Sequence, residues 1–191
     1  ALTYFDRAAA LSPGNWSVYS KRAYFHFTRQ EYEEAASAYR TALTLNPMSA
    51  RLWSSLGGVL QMAGRSNEAI DAYARSLAIE PNYEAYSNQG FLQFAEGRYA
   101  ESATSFRRAI ELNADDYRSW ANLGDALGAD PATAVEAAVP YREALKRLDG
   151  YLAIRTVEAE PIAHKAWILA NLGESATARE LAARSAELDP V

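Results

Sequence analysis

The sequence predicts an all-α protein, built as a one-dimensional stack of helical hairpins. Three observations predict it. Pro13, Pro47 and Pro81 stand 34 residues apart (47 − 13 and 81 − 47), and a fixed period of roughly 20–50 residues marks a repeat architecture. In the run from Tyr32 to Leu45, apolar residues such as Ala35, Tyr39, Ala42 and Leu43 return at i, i+3 and i+4, which is one face of a 3.6-residue helix. Strand-like alternation is absent throughout. Small residues (Gly57, Ala69) fall where two helices must touch and large ones (Trp53, Tyr73) where a gap must be filled. A bulkier side chain at the crossing would push the axes beyond about 8–10 Å.

Residues 1–15 read as the second helix of a truncated repeat. Leu2, Phe5, Ala8 and Leu11 form its stripe, and Ser12-Pro13-Gly14-Asn15 ends it. The missing partner helix, and the absence of a polar capping helix at the other end, are expected of a fragment of a longer chain. Repeat 1 spans 16–48, with Tyr19, Ala23 and His26 on its first helix. Repeat 2 spans 49–82 and is the most regular, turning at Ala63-Gly64-Arg65-Ser66. Repeat 3 spans 83–115, with Gly90, a turn at Glu96-Gly97-Arg98-Tyr99, and Ala114 in place of the closing proline. Asp116 is suited to cap the next helix, since its carboxylate accepts free backbone N–H groups.

Repeat 4, residues 116–158, opens with Trp120, Leu123 and Gly124 and then departs from the pattern. Asp130-Pro131 reads as a cap and first helical residue. The stripe Ala138, Tyr141, Leu145, Leu148, Leu152 keeps its phase through Gly150. One long second helix to about Ile154 is expected, kinked or broken at 136–140 by Pro140, which removes a ladder bond and clashes with the preceding turn. Repeat 5 spans 159–191, with Pro161 in its first turn, then Ala166, Gly173, Ala178, Ser185 and Pro190.

Trp-x-x-Leu-Gly-x-x-(Leu/Tyr), Ala-x-x-x-(Tyr/Phe) and a closing Pro at 34 residues resemble the tetratricopeptide repeat (TPR) pattern over nearly the whole chain. Trp53, Leu56, Gly57, Ala69, Tyr73 and Pro81 carry the match in repeat 2, and Trp120, Leu123 and Gly124 in repeat 4. The resemblance implies an α-solenoid, a right-handed superhelix of tandem TPR hairpins forming a single array over 1–191. First helices would line a concave groove. The last third, with Asn122 to Leu127, Tyr141-Arg-Glu-Ala and Leu169-Ala-Asn-Leu-Gly173, looks like repeat arrays attached to bacterial serine/threonine kinases and transcriptional regulators. Kinase loop motifs and a helix-turn-helix are themselves absent.

Composition narrows the function. Net charge is −5, which argues against a nucleic-acid partner, because phosphate binding needs a clustered basic surface. A basic peptide partner stays open. The chain has no cysteine, which both cytoplasm and periplasm tolerate, so the compartment stays open too. No apolar run approaches the ~18 residues of a spanning helix, and membrane contact by this segment is not expected. No phosphate loop or nucleophile elbow occurs. His26 and His164 have no ligand at metal spacing, so no metal or cofactor is expected. His26 falls at an aromatic packing position and reads as a core histidine. Asp115-Asp116 reads as a capping turn. No catalytic residues emerge, and a non-enzymatic interaction scaffold is the leading reading.

The resemblance assigns groove-facing places to Lys21, Tyr24 and Phe27, to Arg51, Ser55 and Gln61, and to Asn88, Phe91 and Phe94. Further along it assigns Arg118, Asn122 and Asp125, then His164, Trp167 and Asn171. Asn88 and Asn122 are 34 apart (122 − 88). An amide both donates and accepts, so the two either hold the backbone of an extended peptide or simply sit on an exposed helix. The aromatics either offer contact area to a partner or pack between first helices. Tyr24 stands where a carboxylate-clamp receptor needs Asn, which disfavours a chaperone-tail receptor despite Lys21 and Arg118. The alternative is a regulatory or oligomerising arm of a larger bacterial kinase or regulator, with self-association through the stack ends.

Overall fold

The protein is represented by a computed structural model that describes residues 2–154 and 158–189. Every element is helical, with no strand among the described residues. The chain forms two compact units, residues 1–96 and 97–191. The first holds α1 (Leu2–Leu11), α2 (Trp16–Thr28), α3 (Tyr32–Leu45), α4 (Ala50–Met62), α5 (Ser66–Ile79) and α6 (Tyr83–Ala95). The second holds α7 (Tyr99–Leu112), α8 (Tyr117–Ala129), a 3-10 turn (Ala134–Glu136), α9 (Ala138–Ala153), α10 (Ala159–Asn171) and α11 (Ser175–Leu188). In each unit, sequence neighbours pack on one another: α2 on α3, α4 on α5, α8 on α9 and α10 on α11 form the hairpins.

The first helices α2, α4, α6 and α8 start on side-chain caps, whereas α10 has none. Asn15, Ser49, Asn82 and Asp116 accept from the backbone N–H of Ser17, Leu52, Ala85 and Ser119, satisfying donors that have no partner in the helix itself. The first helices α2, α4, α6 and α10 end on a left-handed residue, whereas α8 runs into extended backbone at Asp130. Gly64, Gly97 and Gly173 have φ of 74°, 74° and 87°, but in the first hairpin this place is held by Gln30 at φ 61°. A Cβ makes that conformation costly, whereas glycine adopts it freely.

The hairpin crossings are close contacts. A methyl on Gly57 would stand 2.8 Å from the Tyr73 ring, and one on Gly124 only 2.6 Å from Tyr141. Both tyrosines are buried. Beside each crossing a tryptophan ties the hairpin to the segment before it. The indole N–H of Trp53 donates to the Pro47 carbonyl and that of Trp120 to the Ala114 carbonyl, each at 2.8 Å. Ala114 thus substitutes for the closing proline because the carbonyl, not the ring, is the group used. Arginines from the second helices cover these indoles, Arg75 over Trp53 at 4.9 Å and Arg147 over Trp120 at 4.7 Å.

The second helix of the fourth repeat departs from expectation. It does not run from Pro131. Asp130 caps a turn, accepting from Ala132 N–H, and α9 begins at Ala138 after the 3-10 turn. Pro140 therefore lies in the first turn of α9, where a missing N–H costs nothing. The break expected near 136–140 is the start of the helix. Pro190, the expected closing proline of the fifth repeat, lies outside the described residues.

Four outcomes are expected. Gly57→Ala and Gly124→Ala should each lower stability by about 1–3 kcal/mol, because the ring beneath cannot yield. Gly150→Ala, with nothing within 4 Å of its added Cβ, should instead gain roughly 0.5–1 kcal/mol from helix propensity; urea unfolding reads both signs. Gln30→Gly should stabilise by about 0.5–1 kcal/mol through relief of the left-handed backbone. Burial pushes the Tyr73 hydroxyl up from 10 to about 12. Its contribution is full below pH 10, where the unfolded tyrosine is neutral, and is lost as pH rises through about 12. Urea midpoints of the parent protein should therefore fall relative to Tyr73→Phe between these pH values.

Candidate functional site

The first helices carry the side chains that the second helices leave uncovered. In the first unit, Lys21, Tyr24 and Phe27 on α2, Arg51 on α4, and Asn88 and Phe91 on α6 are exposed. Tyr24 is 62% exposed and Phe91 54%. Ser55, Gln61 and Phe94 are half-buried. Phe27 leans on Tyr32, with ring centroids 6.1 Å apart. His26 is a core residue, 5% exposed, and its Nδ1 lies 2.7 Å from Glu31 Oε2. The neighbouring guanidinium of Arg29, and His26 itself, hold the Glu31 carboxyl below the usual range.

Buried tyrosines of the second helices reach through to this face. Burial raises the Tyr39 hydroxyl, with the neighbouring Ser55 side chain acting against the rise. The Tyr73 hydroxyl donates to Gln61 Oε1 at 3.2 Å, and the upward push of burial on it is opposed by the neighbouring Asn88 side chain. Gln61, expected to be open to a ligand, is therefore engaged from below, and Ser55 and Asn88 stand beside buried hydroxyls. This link was not read from the sequence, where Tyr39 and Tyr73 counted as packing alone. The available signal was the choice of Tyr over Phe at those positions.

The second unit follows the same logic with one change. Tyr141 donates to Asp125 Oδ1 at 2.7 Å, and burial with the adjacent carboxylate drives its hydroxyl far up. At the place matching Tyr39 and Tyr73, however, stands Phe106, buried and without a hydroxyl. Asn122, sixteen residues on (122 − 106) just as Ser55 follows Tyr39 (55 − 39), makes no side-chain hydrogen bond among the described residues. It is half-buried.

Helices α8 and α10 bring the other expected residues together. Trp167, 56% exposed, donates its indole N–H to Asp125 Oδ1 at 3.0 Å. Arg118 pairs with Glu160 at 2.9 Å and lies 5.0 Å above the Tyr117 ring, so it is not held ready for a carboxylate. His164 Nδ1 lies 3.5 Å from the Tyr117 hydroxyl. Asn171 turns back onto the Trp167 carbonyl at 3.0 Å. An apolar hollow of about 890 Å³ opens between α10 and α11, lined by Ala163, Ala166, Ala170, Ala178 and Ala182 among others. Among the described residues no group of three His, Asp or Glu side chains is placed to hold a metal. None of the described helices is long and apolar enough to cross a membrane.

Solved structures share this succession of helical hairpins. The type IV pilus biogenesis factor PilW matches with a TM-score of 0.75 at 18% identity, over 99% of this chain and 84% of that one. YrrB, described as a TPR protein with an unusual peptide-binding site, matches at 0.70 and 19% identity over 97% and 92%. These likenesses show the fold, an α-solenoid of tandem hairpins. The peroxisomal targeting signal receptor of Kluyveromyces lactis is 33% identical over 88 residues, which is 46% of this chain and 16% of that receptor. The chain spans only about a sixth of that relative's length. Sequence models of the tetratricopeptide repeat match residues 1–47, 22–84 and 83–116. They cover more than half of the chain, which belongs to the tetratricopeptide repeat family.

Proposed function

We propose that the chain is a non-enzymatic interaction module that binds a peptide segment of another protein on the faces of its first helices. One observation carries this reading. Large aromatics of the second helices, such as Tyr73 and Phe106, are buried, while Tyr24, Phe91 and Trp167 on the first helices are more than half exposed. Isolated helices gain nothing from such exposure, and aromatic area on one face is what a partner uses. Lys21, Phe27 and Arg51 would add contacts in the first unit, and Arg118 and His164 in the second. A relative described as a targeting signal receptor and a fold neighbour described as having a peptide-binding site support the reading.

The amides have unequal parts in this proposal. Asn122 is uncommitted and takes both a donor and an acceptor of the peptide backbone. Asn88 lies beside the Tyr73 hydroxyl, which competes for its amide, and contributes less. The test is selection of binding peptides from a random library, followed by calorimetric titration of the best. Asn122→Ala should weaken binding roughly tenfold, since two hydrogen bonds contribute about 1–2 kcal/mol. Asn88→Ala should weaken it about threefold or less. Equal affinity for the parent and Asn122→Ala would refute the assigned role, and a library yielding no binder would refute the module itself.

A further inference from the structure

Asp125 is the carboxylate on the α8/α10 face whose charge the protein leaves unbalanced. It is half-buried, yet it makes no ion pair among the described residues. Nearby acids differ: Glu160 is paired with Arg118 and Asp149 with Lys165. Its two donors, the Tyr141 hydroxyl and the Trp167 indole N–H, are both neutral and both take the same oxygen, Oδ1. The other oxygen accepts no hydrogen bond among the described residues. A partly desolvated carboxylate held by neutral donors favours an incoming cation.

The indole beside it completes the arrangement. Its N–H bond to Asp125 fixes the ring plane, and more than half of the residue faces solvent. The protein covers two other tryptophans, Trp53 and Trp120, with its own guanidinium groups. Among the described residues no guanidinium lies over Trp167. A cation placed over that ring would be within reach of the free Asp125 oxygen. A planar guanidinium suits both partners, because it stacks on an aromatic face and donates to a carboxylate through a fork, whereas an ammonium is a compact, strongly hydrated point charge.

We propose that Asp125 and Trp167 form a subsite for a cationic side chain of the partner peptide, arginine in preference to lysine. The proposal rests on the peptide-binding reading and specifies its chemistry. The overall charge of −5 favours the same class of partner over long range. Asn122, one helical turn before Asp125 on α8, would hold the backbone next to the bound side chain.

The test uses a minimal probe, so that it does not depend on the peptide-library result. Uniformly ¹⁵N-labelled protein is titrated with N-acetyl-L-arginine methylamide, following the Trp167 indole cross-peak, assigned by its loss in Trp167→Phe. The expected result is a saturable shift. The citrulline analogue, equal in shape but uncharged, should bind at least tenfold more weakly, and the lysine analogue severalfold more weakly. Asp125→Asn keeps an acceptor for both donors while removing the charge, and should bring arginine down to the level of citrulline. Equal titration by arginine and citrulline, or an arginine preference surviving in Asp125→Asn, would overturn the subsite. The arginine–citrulline comparison needs no variant and decides the matter even if Asp125→Asn folds poorly. Library peptides that bind without any basic residue would leave the interaction module standing and remove this subsite.

Discussion

The absence of a side chain at Gly57 and Gly124 is the constraint on which the rest depends. With no Cβ there, the rings of Tyr73 and Tyr141 lie directly against the first-helix backbone. That proximity is a packing fact, yet it has a polar consequence. A tyrosine lying across a helix this closely carries its hydroxyl past the glycine and toward the opposite face. The Tyr73 oxygen would stand 3.6 Å from a Cβ on Gly58, one residue beyond the crossing. The contact that closes each hairpin thereby also places a hydrogen-bonding group beneath the surface offered to a partner.

A second device holds each hairpin to the chain before it, and it explains why the sequence tolerates variation at the closing position. The indole of Trp53 seeks a carbonyl six residues back (53 − 47), and Trp120 does the same (120 − 114). Any residue supplies a carbonyl. Proline at that place sets the backbone and stops the preceding helix, but Ala114 serves the tryptophan equally well, and Arg147 also donates to the same oxygen. Over both indoles a guanidinium closes the remaining side, so those tryptophans are consumed by the fold.

This division explains what could be read from the sequence. The helices, the cap at Asp116 and the glycine crossings follow from period and residue size, which are local and repeated. Departures came where a local rule had two solutions. Pro140 fits either a kink within a helix or the first turn of one, and the apolar stripe through Tyr141 and Leu148 looks the same in both cases. On the first-helix faces, the resemblance placed Ser55, Asn88 and Asp125 but not their partners. A hydroxyl arriving from Tyr39, Tyr73 or Tyr141 is a tertiary event, invisible in the pattern Ala-x-x-x-(Tyr/Phe), which treats the two aromatics as equivalent.

They are equivalent only for packing. Tyr and Phe fill nearly the same volume against a glycine, so substitution between them leaves the hairpin closed. What changes is whether the polar group above has an internal partner. Tyr73 occupies Gln61, and Tyr39 and Tyr73 bring hydroxyls beside Ser55 and Asn88, whereas Phe106 brings none to Asn122, which has no bond among the described residues. Tyr141 goes further, because it donates to one oxygen of Asp125 and leaves the other without a hydrogen bond among the described residues. One buried oxygen atom per repeat, present or absent, thus determines which surface groups remain free for another molecule. It does so at positions that a reading of the core alone would class as interchangeable.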